Sequence, residues 1–197
     1  MDRMRLSLLT TLVALTLAGC SAETTPPTAD TAPTDSVTQA TSKDLTAEDN
    51  AANQGASDKL APNTPAEPLN EELCPYLDTQ WVANTNGQKM TRQATDPRFE
   101  TPACIFWSYP DAPQATVIVR HLDSVEQARA AVDWAAPIDG TEPVSDNGWE
   151  GGRGVLGPEL AVYAVQKGPT AVLVWTNQVQ TLKAELIAQE AIKNLGL

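Results

Sequence analysis

The distribution of apolar residues divides the chain into three stretches. Residues 6–17 form an apolar run, broken only by Ser and Thr, behind two basic residues. Residues 21–72 contain no aromatic residue and only four scattered large aliphatic ones. From residue 73 onward, apolar residues recur at the spacings of strands and helices, and all ten aromatic residues lie there. The pattern predicts a leader over 1–19, a disordered tether over 20–72 and one folded domain over 73–197.

Helix and turn signals place three helices and two hairpins in this domain. The helices are expected to begin near Pro75, Ser124 and Leu182 and to end near Gly87, Pro137 and Gly196. The hairpins join strands 104–109 to 115–121 and 160–165 to 170–177. Because residues 171–175 are apolar at every position, both faces of that strand must be covered. We therefore expect an α+β domain, in which helices cover both faces of an antiparallel sheet of four to five strands.

The leader ends in a sequence with its own chemistry. Its apolar run is shorter than the roughly 20 residues that a membrane-spanning helix needs, which indicates an export signal. Leu17-Ala18-Gly19-Cys20 resembles the lipobox of bacterial lipoproteins, in which the Cys becomes the first residue after cleavage and carries diacylglycerol. We expect a cell-membrane protein anchored by lipid at Cys20 on the extracytoplasmic side. The alternative is an uncleaved anchor with an incidental Cys.

Charge is concentrated in the tether. The whole chain has a formal charge of -12, and residues 21–72 hold ten acidic and two basic side chains. Such an acidic chain lacks the Lys and Arg that replace counterions around phosphate, which argues against nucleic acid as a partner. Anionic lipid repels it as well, so membrane attachment is expected to come from the acyl chains alone.

The two remaining cysteines, Cys74 and Cys104, form an even pair. Disulfides persist outside the cytoplasm, so we expect these two to be bridged. The alternative is a reactive or metal-binding thiol, but no CxxC motif and no nearby His accompany them.

Candidate catalytic groups are sparse. His121 is the only histidine, and no nucleophile elbow is present, so a structural role is expected for it. Three carboxylate pairs lie in predicted loops, where we expect them to be solvated: Asp96 with Glu100, Asp139 with Glu142, and Asp146 with Glu150. The sequence therefore predicts no metal and no cofactor.

The glycine-rich segment 148–154 is the most unusual part of the domain. Glycines allow positive φ angles and close backbone approach, and we expect a tight turn with an irregular edge here. The alternative is a binding rim, with Trp149 as a stacking plate and Arg153 as an anion contact. Trp81 fits either the core or this rim. The other tryptophans are expected in the core, at positions Trp107, Trp134 and Trp175.

Four segments of the domain carry a family resemblance. They are Cys74–Leu77, Pro102–Trp107, Val132–Pro137 and Val174–Gln178. These segments resemble an uncharacterised actinobacterial, chiefly corynebacterial, lipoprotein family known as domain of unknown function twenty-twenty. The resemblance implies an envelope lipoprotein with paired cysteines and supplies no site. More remotely, the expected layering is similar to the Mog1/PsbP-type sandwich, which is an analogy of fold alone.

Two functions follow from these observations. The first is a monomeric, non-enzymatic binding or scaffold protein of the envelope, whose partner is an envelope protein or glycolipid. The second is an envelope hydrolase or metal-assisted enzyme that uses the loop carboxylates and His121.

Overall fold

The computed structural model describes residues 59–197, which form a seven-stranded antiparallel sheet with helices on both faces. The helices are α1 (Thr79–Asn86), α2 (Val125–Ala135) and α3 (Thr181–Leu195), with a short 3-10 helix at Ile138–Gly140. The strands are β1 (Arg92–Asp96), β2 (Thr101–Trp107), β3 (Pro113–His121), β4 (Glu142–Asp146), β5 (Trp149–Gly157), β6 (Leu160–Lys167) and β7 (Thr170–Thr176). They lie in the order β1-β2-β3-β7-β6-β5-β4, so β7 is the middle strand.

The helix ends follow the capping residues in the sequence. Ser124 accepts a hydrogen bond from the Gln127 backbone N–H at 3.2 Å, and the Gln127 side chain accepts one from Asp123 N–H at 3.1 Å. Ser124 is therefore the N-cap of α2, which confirms the expected start of this helix, and Gln127 also holds the residue before the cap. Gly196 ends α3 in the left-handed conformation at φ 69°, also as predicted. The first helix begins later than expected, because Asp78 caps it and Pro75 lies outside it.

Both sheet faces are covered, which confirms the predicted layering. Helices α1 and α3 lie over one face, where the core is formed by Phe106, Val117, Val119, Val172, Val174, Ile187 and their neighbours. Helix α2 lies over the other face, where Phe99, Ile118, Val132, Val162, Leu173 and small alanines are buried. The expected four to five strands are too few, because β1, β4 and β5 were not predicted.

Strand β5 replaces the irregular edge expected for the glycine-rich segment. The tight turn itself is present, since Asn147 and Gly148 both have positive φ and join β4 to β5. The glycines that follow allow close packing within a regular strand. A Cβ on Gly151 would lie 2.0 Å from the Ala164 carbonyl oxygen of β6, and one on Gly154 would lie 2.8 Å from the Gly140 carbonyl oxygen.

Residues 59–70, expected in the disordered tether, pack on the domain, and we call them the strap. The fully buried Arg120 of β3 donates from Nη2 to the Leu60 carbonyl oxygen at 2.9 Å, and from Nη1 to two more strap carbonyls at 3.0 and 3.1 Å. The Asp96 carboxylate accepts from Glu67 N–H at 2.8 Å, and Asn70 forms a bridge with Thr95. Residues 59–70 therefore belong to the packed domain, which does not begin at residue 73 as expected.

A disulfide joins Cys74 to Cys104, with a Cα–Cα distance of 5.5 Å. It confirms the predicted pairing and ties the chain before α1 to the middle of β2. No helix within residues 59–197 is long and apolar enough to span a membrane. Cys20 and the predicted leader lie outside the described residues.

Candidate functional site

A groove of about 430 Å³ lies between α3 and the β4–β5 hairpin. We call it the Tyr163 groove, after the tyrosine in it. Its lining residues are Asp146, Asn147, Trp149, Tyr163, Lys167, Gln189, Ile192, Lys193 and Leu197. Aromatic, amide, carboxylate and ammonium groups therefore share one concave surface.

Two structural elements set the walls of the groove. On one side, the positive-φ turn at Asn147 reverses the chain, so that Asp146 pairs with Trp149 across the hairpin. On the other side, Glu185, Gln189 and Lys193 are spaced four residues apart and follow one another along α3. The groove thus depends on how α3 packs against the sheet, and not on a single loop.

Tyr163 lies in β6, with Arg153 opposite it on β5. Only 3% of its surface is exposed, yet it lines the groove. Within residues 59–197 no group forms a hydrogen bond with its hydroxyl. The other buried tyrosine differs, because the Tyr76 hydroxyl donates to the Pro102 carbonyl oxygen at 3.1 Å. The ring of Tyr163 is therefore buried, while its hydroxyl reaches the groove and is not among the buried side-chain atoms that lack a partner.

The charges around Tyr163 keep its phenol protonated. Burial, together with the negative charges of Glu185 and Asp146, raises the pKa of Tyr163 to about 12, and Arg153 opposes this shift. The hydroxyl is therefore a neutral group at physiological pH that both donates and accepts a hydrogen bond.

Arg153 is held by carboxylates at the side of this groove. Its Nη1 lies 3.2 Å from Glu185 Oε2, and its Nε lies 3.8 Å from Glu142 Oε2. It also lines a neighbouring groove of about 410 Å³ with Asp139 and Thr181. The structure thus places the predicted Asp139 and Glu142 pair beside Arg153, where the acidic groups balance the guanidinium charge.

Trp149 lies at the bottom of the Tyr163 groove and does not project from it. Only 6% of its surface is exposed, and the Lys167 ammonium lies 5.7 Å from its ring centroid. The indole is therefore part of the core that the groove exposes, which differs from the projecting plate of the rim hypothesis. Trp81 lies on α1, partly buried against the same core and outside the lining of the Tyr163 groove.

Sequence comparison assigns a family to this fold. A family model described as "Domain of unknown function (DUF2020)" matches residues 58–197, which is more than two thirds of the chain. The chain belongs to the DUF2020 family. Comparison with the curated proteins finds no match. Among solved structures, the DUF2020 domain is similar to the extracellular domain of PknH from Mycobacterium tuberculosis, with 13% sequence identity and a TM-score of 0.33. That match covers 66% of this chain and 98% of the PknH chain.

The only histidine of the DUF2020 domain has two threonine neighbours. His121 Nε2 lies 3.2 Å from the Thr101 hydroxyl, and Nδ1 lies 3.5 Å from the Thr170 hydroxyl. These contacts link β3 to the strands on either side of it. In the described part of the chain, no group of three or more His, Cys, Asp or Glu side chains is arranged to hold a metal ion.

The fold separates the Asp96 and Glu100 pair. Asp96 is fully buried, and Arg98 Nη2 lies 2.6 Å from its Oδ2. Burial raises the pKa of Asp96, but hydrogen bonds from Arg98 and from the Glu67 backbone outweigh that effect and lower it. This carboxylate therefore fastens the strap, whereas Glu100 is exposed and lines a different groove beside the disulfide.

Trp134 was expected in the core, but this prediction is wrong, because 37% of its surface is exposed. It packs edge-on against Trp175, with ring centroids 5.5 Å apart, where α2 ends over the sheet. Trp107 is buried as predicted, beneath the Arg92 guanidinium at 3.9 Å from its ring centroid.

Sequence reasoning did not identify Tyr163, Lys167, Gln189 or Lys193 as site residues. All four lie within or at the end of predicted strands and helices. The hydrophobic pattern treats a Tyr as a core residue and a Lys or Gln as a solvent-exposed one, so it marks none of them as a site residue. Only the packing of α3 on β6 shows that they share one groove.

Proposed function

We propose that this protein is a lipid-anchored, non-enzymatic binding protein of the cell envelope, and that its ligand occupies the Tyr163 groove. The lipobox-like sequence at Cys20 supports the location. The observation that carries the binding function is Tyr163, whose ring is buried and whose hydroxyl reaches the groove without a hydrogen bond to residues 59–197. A ligand hydroxyl or carbonyl could take the place of solvent at this rigidly held group.

The ionic contacts beside Tyr163 favour binding over catalysis. Arg153 is paired with Glu185, and Lys193 Nζ lies 3.1 Å from Glu190 Oε2. Arginine and lysine side chains beside carboxylates recognise a ligand through charge and hydrogen bonds, whereas a general acid or base must exchange a proton near neutral pH. The groove is thus suited to recognising a ligand by hydrogen bonds.

The tether would set the reach of this site. From Cys20 to the start of the strap at Lys59 there are 39 residue steps. A flexible chain of that length has an r.m.s. end-to-end distance of roughly 35 Å. The proposed anchor would therefore let the domain sample a layer of that depth beside the membrane.

Photo-crosslinking in living cells tests the proposal. A photoreactive amino acid at Gln189, which is exposed in the groove, should label a recurrent envelope component. The matched control is Leu186, which is 40% exposed on the same helix and outside the groove. Labelling from Gln189 should disappear when Tyr163→Phe is added. Equal labelling from both positions, or labelling that is indifferent to Tyr163→Phe, would contradict a site in this groove.

A further inference from the structure

The hydrogen-bonding groups of the Tyr163 groove define the chemistry of its ligand, if the proposed binding function holds. Asn147 Nδ2 donates to Asp146 Oδ2 at 3.1 Å, and Gln189 Nε2 donates to Glu185 Oε1 at 3.4 Å. Each amide thus directs a donor to a protein carboxylate and leaves its oxygen as an acceptor. Together with Asp146 and the Tyr163 hydroxyl, the groove presents closely spaced acceptors, which suit a ligand with several hydroxyl donors.

The apolar part of the groove fits the same kind of ligand. Trp149 and Ile192 line it between the polar groups, and both belong to or pack against the main core. A saccharide presents C–H groups as well as hydroxyls, so it matches a surface that alternates aromatic or aliphatic patches with acceptors. A purely apolar ligand would leave the acceptors unpaired, at a cost for each buried group.

Two lysines add a positive charge that is unusual for this domain. Lys167 and Lys193 both line the groove and are both exposed, whereas residues 73–197 hold 14 acidic and nine basic side chains. The Lys193 side chain is 73% exposed in its pair with Glu190, and a pair with one exposed partner at the surface is weak enough for a ligand to replace. Lysine is a compact point charge, which suits a carboxylate or phosphate group.

From this combination we infer that the Tyr163 groove binds an anionic saccharide. The hydroxyl groups of the saccharide would donate to Tyr163, Asn147 and Gln189, and its acidic group would lie beside Lys167 and Lys193. The inference rests on the proposed binding function and adds the class of ligand to it. Carboxylate and phosphate supply the same charge here, so the acidic group is defined by its charge.

The test uses the full-length mature protein in detergent and oligosaccharides released from the envelope of the source organism. Anion exchange separates these into an acidic and a neutral fraction, and calorimetric titration measures binding of each. We expect the acidic fraction to bind. Lys167→Gln with Lys193→Gln should lower that affinity about tenfold or more, since a charge-assisted hydrogen bond contributes on that scale. Tyr163→Phe should lower it as well, and Tyr109→Phe, at an exposed turn, should leave it unchanged.

The outcomes separate this inference from the proposed function. Binding of the neutral fraction that depends on Tyr163 but not on the lysines would overturn the anionic ligand and leave a binding groove. Binding of neither fraction would overturn the saccharide, and the crosslinking at Gln189 would then decide whether the groove binds another class of molecule. Phosphatase treatment of the acidic fraction separates the sources of charge, since loss of binding identifies a phosphate monoester and retained binding identifies a carboxylate or a phosphodiester.

Discussion

The two buried tyrosines offer a direct test of the site through stability alone. Replacing either residue with Phe removes one hydroxyl and leaves the ring in place. At Tyr76 the change removes a hydrogen bond of 3.1 Å and leaves the Pro102 carbonyl oxygen unpaired. At Tyr163 it removes a hydroxyl that has no hydrogen-bond partner within residues 59–197. The same chemical change should therefore lower stability at Tyr76 and leave it nearly unchanged at Tyr163.

The magnitudes follow from the cost of losing or leaving unmade a hydrogen bond. Tyr76→Phe should lower the free energy of unfolding by about 1–2 kcal/mol, which combines the lost bond with the unpaired carbonyl. Tyr163→Phe should change it by less than about 0.5 kcal/mol, because its hydroxyl forms no hydrogen bond with residues 59–197 and reaches the groove. For a domain of this size, the difference corresponds to roughly 3–5 °C in melting temperature.

Urea denaturation of the mature protein and of both variants measures this difference, with unchanged m-values showing that the same surface unfolds. Exposed Tyr109→Phe provides the baseline for a tyrosine outside any site. A loss of more than about 1 kcal/mol in Tyr163→Phe would mean that its hydroxyl is satisfied by the protein, and the argument for the groove would fail.

Three further changes test the fold. Replacing Cys74 and Cys104 with Ser should cost about 3–4 kcal/mol in urea denaturation, from the entropy of the opened loop, and a cost below about 1 kcal/mol would contradict it. The pKa of Asp96 is lower in the folded state than in the unfolded state. Its carboxylate therefore stabilises the fold fully above the unfolded pKa of about 4, and this stabilisation is lost as the pH falls through the folded pKa. In Asp96→Asn, the melting temperature should depend less on pH below about 4. Gly151→Ala should destabilise by about 1–3 kcal/mol, because its Cβ would overlap the backbone of the facing strand, while Gly157→Ala, in open space, should be nearly neutral by the same denaturation assay.

The central strands were predictable because their residues are apolar at nearly every position, a pattern typical of a strand that is covered on both faces. Strands β3, β6 and β7 are apolar on both faces, and turns at either end mark their limits. The outer strands β1 and β4 lack that pattern, since Arg92–Asp96 and Glu142–Asp146 are mostly polar. Edge strands are held by backbone hydrogen bonds to one neighbour, so their side chains need not be apolar and the sequence does not mark them.

The candidate site was only partly predictable for a different reason. Trp149 was singled out by its glycine-rich surroundings, and the groove does contain it. Tyr163 lies within a predicted strand. The hydrophobic pattern predicts the face of the sheet on which its side chain lies, but it does not predict the surroundings of its hydroxyl. Gln189 and Lys193 belong to the polar side of α3, and their role depends on the angle at which that helix packs. Contacts between distant elements of this kind have no local signature.

The strap was assigned to the tether because composition describes a segment without its partners. Residues 59–70 contain three Pro and only two large aliphatic side chains, which alone favours disorder. Their order comes from Arg120 and from the ion pair of Asp96 with Arg98. Asp96 lies about 30 positions, and Arg120 about 60 positions, along the chain from the strap residues that they bind. Two buried charges, satisfied by strap carbonyls and a backbone N–H, compensate for the missing apolar residues.

These attachments also determine how the domain carries load. A pull on the chain ahead of Lys59 first meets Arg120, whose strand lies between two neighbours inside the sheet. Beyond it the pull meets Asp96 at the sheet edge, and then the covalent bond of Cys74 to Cys104. Tension would therefore meet these three attachments one after another before it reached α1, and the last of them is covalent. A pull from the N-terminal side thus meets a covalent stop ahead of the first helix.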